Sequence, residues 1–222
     1  MVIPADLPAL VAPVAWMLGT WEGWGMLAGP DASSRGDGDG AAEDSPVVEE
    51  IRGEVVGNQM RLVTRVYAGA SSTPIDPTWD AASGLSAISK GDLVSEETLY
   101  VSVAPSDAPL PPPGQYNPRE FTATSASTQG HAAVWNGVSV GPRVQMVSDA
   151  IALGEGTQRL VHLGRMFGLV AGELMWTQER TLDGEQEASV EISGRLMRTA
   201  QASTESGEPI DGIDDSEGGF LV

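Results

Sequence analysis

From residue 19 onward the chain is a succession of short segments in which apolar and polar residues alternate, divided by glycine-bearing turns. Alternation at period two gives a strand one buried face and one solvated face, so the pattern restricts the chain to antiparallel sheet. In Met60-Arg61-Leu62-Val63-Thr64-Arg65-Val66, the residues Met60, Leu62, Thr64 and Val66 share one face against Arg61, Val63 and Arg65. Ten strands are predicted, at 19–26, 47–56, 59–67, 94–103, 119–127, 131–135, 143–153, 158–167, 173–182 and 187–198. Hairpin turns are expected at Val56-Gly57-Asn58, Gln129-Gly130, Asn136-Gly137, Val170-Ala171-Gly172 and Leu182-Asp183-Gly184. Consecutive hairpins on this scale favour an all-β fold, a closed antiparallel up-and-down β-barrel, over a Greek-key sandwich. About ten strands also predict an interior wide enough for a ligand, because barrel diameter grows with strand number.

The remaining segments read as a lead-in, loops and a tail. Leu7, Leu10, Val11 and Val14 recur at helical spacing, while Pro8 and Pro13 limit the helix to one or two turns. Its apolar side suits the cap of a barrel end. Residues 29–45 are mostly Gly, Ser, Asp and Ala and predict a solvated acidic loop. Residues 68–86, with Pro74 and Pro77, read as an irregular connection, and 104–118 as a stiff Pro-rich loop around Pro111-Pro112-Pro113-Gly114. Residues 1–200 are therefore one barrel domain. Residues 201–222 are an acidic tail, expected to be disordered, with Phe220-Leu221-Val222 as a group able to dock.

Charge and composition narrow the function. The net charge is −19 and Lys90 is the only lysine, a field that repels phosphate backbones and anionic membrane surfaces. Nucleic acid and membrane are excluded as expected partners. Cysteine is absent, which removes disulfides, thiol catalysis and zinc-thiolate sites and suits a cytoplasmic location. No cationic leader precedes the apolar stretch from Leu7 to Leu18, and that stretch is too short to span a bilayer.

Gly19-Thr20-Trp21-Glu22-Gly23-Trp24-Gly25 is a G-x-W-x-G-x-G pattern at the first strand. No Lys-Ser/Thr follows it, so it is no phosphate loop. A large indole among glycines predicts a structural corner, with Trp21 plugging one barrel end, and a resemblance to lipocalin-like barrels implies that Arg198 of the last strand stacks on it. This pattern, preceded by Pro13-Val14-Ala15-Trp16, resembles the N-terminus of the nitrobindins. Glu49-Glu50-Ile51 and Gly172-Glu173-Leu174-Met175-Trp176 extend the similarity, which covers roughly residues 8 to 199. The resemblance implies a ten-stranded, lipocalin-like barrel of the fatty-acid-binding-protein type that holds haem b through one histidine on the last strand, binds nitric oxide and isomerises peroxynitrite to nitrate. The family pattern there is similar to H-L-x-A-x-L-x-R. Here Ile192, Gly194, Leu196 and Arg198 keep that spacing, and Glu191 stands where the resemblance places the iron-binding histidine. A carboxylate is not the neutral imidazole that holds such an iron.

Two histidines remain as substitutes. His131 begins a strand after a turn and reads as water-exposed, and His162, flanked by apolar residues, as half-buried. Trp16, Trp24, Trp79, Trp135 and Trp176, with Met60, Met146, Met166 and Met175, read as core fillers or cavity walls. In Glu49-Glu50 and Glu96-Glu97 neighbouring carboxylates point to opposite strand faces, so neither pair forms one acid–base site, and solvated strand edges are expected. Asp211, Asp214, Asp215 and Glu217 lack the ligand order of a calcium loop. No nucleophile elbow occurs. The expectation is a binding or vestigial barrel for a small apolar ligand, with no cofactor, compatible with a homodimer. The alternative is a haem-binding peroxynitrite isomerase with an altered axial ligand.

Overall fold

The computed structural model describes residues 7–29, 44–108, 112 and 114–200, and in it the expected sheet closes on itself. The strands are β1 (Gly19–Leu27), β2 (Ser45–Val56), β3 (Gln59–Ala70), β4 (Ser89–Val103), β5 (Arg119–Ser127), β6 (His131–Ser139), β7 (Arg143–Leu153), β8 (Leu160–Val170), β9 (Glu173–Leu182) and β10 (Ser189–Ala200). Each pairs antiparallel with its sequence neighbours, and β1 pairs with β10 to close the barrel. Most of the acidic loop and all of the tail lie outside the described residues. Among the described residues no helix is long and apolar enough to cross a membrane.

Three details differ from the expectation. β3 and β4 run further than predicted, to Ala70 and from Ser89, and the connection between them carries a short helix, α1 (Ala81–Ala87). Asp80 caps that helix, accepting from the Ser83 amide at 2.7 Å. Asn136-Gly137 is not a turn. It lies inside β6, where a Cβ on Gly137 would collide with the Phe121 ring. The chain reverses instead at Gly141, whose φ of 55° is open to glycine.

One barrel end is closed by a 3-10 helix, Ala12–Met17, whose Val14, Ala15, Trp16 and Met17 are buried. The Trp21 indole donates to the Met17 carbonyl at 3.0 Å. Arg198 faces Trp21 across the β1–β10 pair, lies 4.1 Å from its ring centre, and donates to the carbonyls of Leu18 and Trp16. One guanidinium thus joins first strand, last strand and helical plug. Arg198→Met is expected to lower stability by about 2 kcal/mol, through two carbonyls left without donors and a lost cation–π contact. Urea unfolding checks this, and a loss under about 0.5 kcal/mol would show that the plug is held by apolar contact alone.

Candidate functional site

The glycines of the first-strand pattern are set by close approach. Gly19 has a φ of 106°. A Cβ on Gly23 would meet the Arg195 carbonyl, and one on Gly25 would meet both the Ser193 carbonyl and the Glu49 carboxyl group. These residues and Trp21 shape the barrel seam.

Apolar side chains such as Ile51, Leu62, Trp135, Leu163 and Leu174 fill much of the barrel. Toward the end away from the helical plug the buried set turns polar, with Glu49, Glu97, His131, Arg165, Gln178 and Glu191. Glu191 reaches the interior through a break in alternation. Ser193 and Arg195 face outward, and strict parity would place Glu191 with them. Between Val190 and Ile192, however, β10 slips against β9: Val190 opposes Glu179 and Ile192 opposes Gln178. Glu191 is the extra residue of this β-bulge and is turned inward, 8% exposed.

Its carboxylate is fully engaged. Gln178 Nε2 donates to one oxygen at 2.7 Å and Arg180 Nη1 to the other at 2.9 Å. Arg195 is no partner, because on the outer face it pairs with Glu173. The Gln178 amide oxygen accepts from Arg165 Nε at 2.9 Å, and Arg165 pairs with Glu97 at 2.6 Å. The Arg165 guanidinium lies 5.0 Å from the Trp135 ring centre and 5.6 Å from that of Trp176. An unbroken series of charged and amide groups, Arg180–Glu191–Gln178–Arg165–Glu97, therefore crosses the barrel wall to wall. Sequence reading missed Arg165, Gln178 and Arg180. The signal was present in Leu163-Gly164-Arg165-Met166-Phe167, where Arg165 shares the phase of two core residues.

The expectation of solvated acidic pairs fails for one member of each. Glu50 and Glu96 do face outward, paired with Lys90 and Arg65. Glu49 and Glu97 are buried, because alternation sends one of two neighbouring residues inside. Glu49 lies over Gly25 and Gly194 and accepts from the Trp176 indole at 2.7 Å. Burial pushes its pKa up from 4.5 to about 8, and the indole hydrogen bond opposes this only in part. The carboxyl group is therefore mainly protonated at neutral pH.

The expectation of a water-exposed His131 also fails. It is buried, because it shares the inward phase of Ala133 and Trp135 on β6, and its Nδ1 has no partner among the described residues. His162 is half-buried on β8 as expected. The pocket that Glu97, His131, Arg165, Gln178 and Glu191 line holds about 40 Å³. Small-molecule sites are usually about 300–1,000 Å³. The ligand-wide interior expected from strand number is absent at this level because Arg165 and two indoles occupy it.

Known proteins place this barrel. A family model described as "THAP4-like, heme-binding beta-barrel domain" matches residues 10–198. The chain belongs to this nitrobindin family. A "Ferric nitrobindin-like protein" of Beutenbergia cavernae is 32% identical, over 89% of this chain and 98% of the relative. A "Peroxynitrite isomerase" of Kocuria rhizophila is 24% identical, over 90% of this chain and 96% of the relative. A crystal structure of Rv2717c from M. tuberculosis shares the fold, with a TM-score of 0.59 at 17% identity, covering 87% of this chain and 99% of that one.

The space beside Glu191 does not fit the haem of this family. Beside Glu191 there is room for about 40 Å³, and its carboxylate already accepts from Gln178 and Arg180.

Proposed function

We propose that this chain is a nitrobindin-family barrel that does not ligate haem iron and serves as a binding barrel for a small apolar ligand rather than as a peroxynitrite isomerase. One observation carries the reading: the residue at the family's ligand position is a carboxylate held by two donors, inside a charged series that fills the barrel. Buried ion pairs are costly to open, because removing a partner strands a charge. Two relatives named ferric nitrobindin-like protein, at 32% and 30% identity, stand nearer in sequence than the relatives named peroxynitrite isomerase, at 24% to 26%. The lack of cysteine is in keeping with a reducing cytoplasm.

Haem titration followed by absorbance tests the proposal. The parent is expected to give no saturable Soret band beyond that of free haem. Glu191→His is expected to give none either, because Arg165 still lies between Trp135 and Trp176. A parent that saturates at one haem per chain with a defined ferric axial ligand overturns the reading. A five-coordinate ferric species in Glu191→His alone would show that only the ligand, and not the cavity, has changed.

A further inference from the structure

We propose that a trough on the outer wall of the barrel, over β8, β9, β10 and β1, binds a free long-chain carboxylate. The inference rests on the binding-barrel reading above and gives it a site and a ligand class. The trough encloses about 770 Å³, well within the range of small-molecule sites. Strand register places Arg143, Gly168, Met175, Arg195 and Trp24 side by side across five neighbouring strands. Four inter-strand spacings make that row roughly 19 Å long, which suits a linear chain over a compact ring.

The floor and walls have distinct causes. Gly168 has nothing within 4 Å of where a Cβ would stand, so the floor is bare at that point. Met166, two residues before it on β8, and Met175, opposite it on β9, are 37% and 38% exposed, and flexible thioethers adapt to an acyl chain. One wall is Ile75 and Pro77 of the β3–β4 connection. That connection is fastened to the barrel: Arg195 donates to the Trp79 carbonyl at 3.0 Å, and Glu173 accepts from the Ala81 amide at 2.9 Å. The opposite wall is Pro142-Arg143.

Charge selects the head group. Eleven Lys and Arg residues lie in the described part of the chain. Eight pair with carboxylates, and Arg119 and Arg198 donate to backbone carbonyls. Arg143 alone has a thioether, Met166 Sδ at 3.2 Å, as its hydrogen-bond acceptor. A thioether is a weak acceptor. In a chain of net charge −19, an exposed guanidinium with no carboxylate partner among the described residues, at the rim of an apolar trough, complements an anion from outside. A single planar guanidinium matches a carboxylate in bidentate fashion and supplies one positive charge, which favours a monoanion over a phosphate.

The test is a calorimetric titration of the full chain with dodecanoate and with uncharged dodecanol. Arg143→Gln is expected to weaken dodecanoate about tenfold and leave dodecanol within about twofold, since it removes the head-group contact alone. Gly168→Trp sets an indole over the floor, where an added Cβ meets nothing within 4 Å, and is expected to abolish binding of both probes with a parental melting temperature. Dodecanoate bound as well by Gly168→Trp as by the parent overturns the trough and leaves the binding-barrel reading standing. Failure of the parent to bind either probe overturns the trough and removes the apolar ligand class from that reading, while the haem titration tests its other half independently. A parent dimer in sedimentation that Gly168→Trp converts to monomer, with no response to dodecanoate, overturns the proposal in favour of a second copy of the chain.

Discussion

Arg165→Met is expected to lower the unfolding free energy by about 3–5 kcal/mol, among the larger losses available to a single substitution here. Arg165 is buried, pairs with Glu97, and donates to the amide oxygen of Gln178. Methionine keeps much of the stem that packs between Trp135 and Trp176, so the loss reports charge and hydrogen bonding rather than a cavity. What remains in the variant is a buried Glu97 carboxylate with no cation and a Gln178 oxygen with no donor. The double variant Arg165→Met, Glu97→Gln removes the stranded charge and is expected to recover most of the loss. Chemical denaturation of the parent, both single variants and the double variant gives the coupling energy directly. Losses that simply add would mean that Arg165 and Glu97 do not act as a pair, and that the polar series across the barrel is a set of independent contacts.

The architecture was readable from sequence because closed barrels repeat one rule many times. Met60, Leu62, Thr64 and Val66 announce their face by parity, and their neighbours across β2 and β4 do the same. The site was less readable because it breaks that rule or depends on distant pairing. Parity alone sends Glu191 to the outer face with Ser193, and only a one-residue bulge turns it inward. Nothing in Val190-Glu191-Ile192 marks a bulge. The burial of Glu49 was implied by alternation, but carboxylates are so often exposed that the general tendency displaced the local rule. Its space comes from Gly25 and Gly194, two glycines on other strands that only the barrel brings beneath it. Helix α1, Ala81–Ala87, is too short to hold by itself despite its three alanines. It is held from outside, where Gly84 packs on the Trp24 ring and Trp24 meets Trp79 edge-on at 6.0 Å. The outer trough exists because that connection folds back onto the wall, which no local pattern announces.

Stability should fall as pH rises through neutrality, and Glu49→Gln should abolish most of that fall. The folded-state pKa of Glu49 is raised from 4.5 to about 8 by burial. A raised folded-state pKa means that the native chain holds this proton over a range in which the unfolded chain has released it. The stabilising contribution is therefore fully present below pH 4.5 and is lost progressively until pH rises past about 8. A shift of this size corresponds to at most on the order of 5 kcal/mol, since each pKa unit is about 1.4 kcal/mol. Glutamine retains the shape of the neutral acid, and its amide oxygen can accept the Trp176 indole hydrogen that Glu49 Oε2 now accepts. Near pH 5 the two proteins should therefore melt within a few degrees of each other. At pH 9 the variant should melt roughly 10 °C higher, given about 2–4 °C per kcal/mol for a domain of this size. Comparing the two at each pH cancels the titration of the other carboxylates common to both chains. Parallel melting curves from pH 5 to pH 9 would show that Glu49 is ionised in the folded barrel. Its carboxylate would then need a donor beyond the Trp176 indole, on the oxygen that has no partner among the described residues.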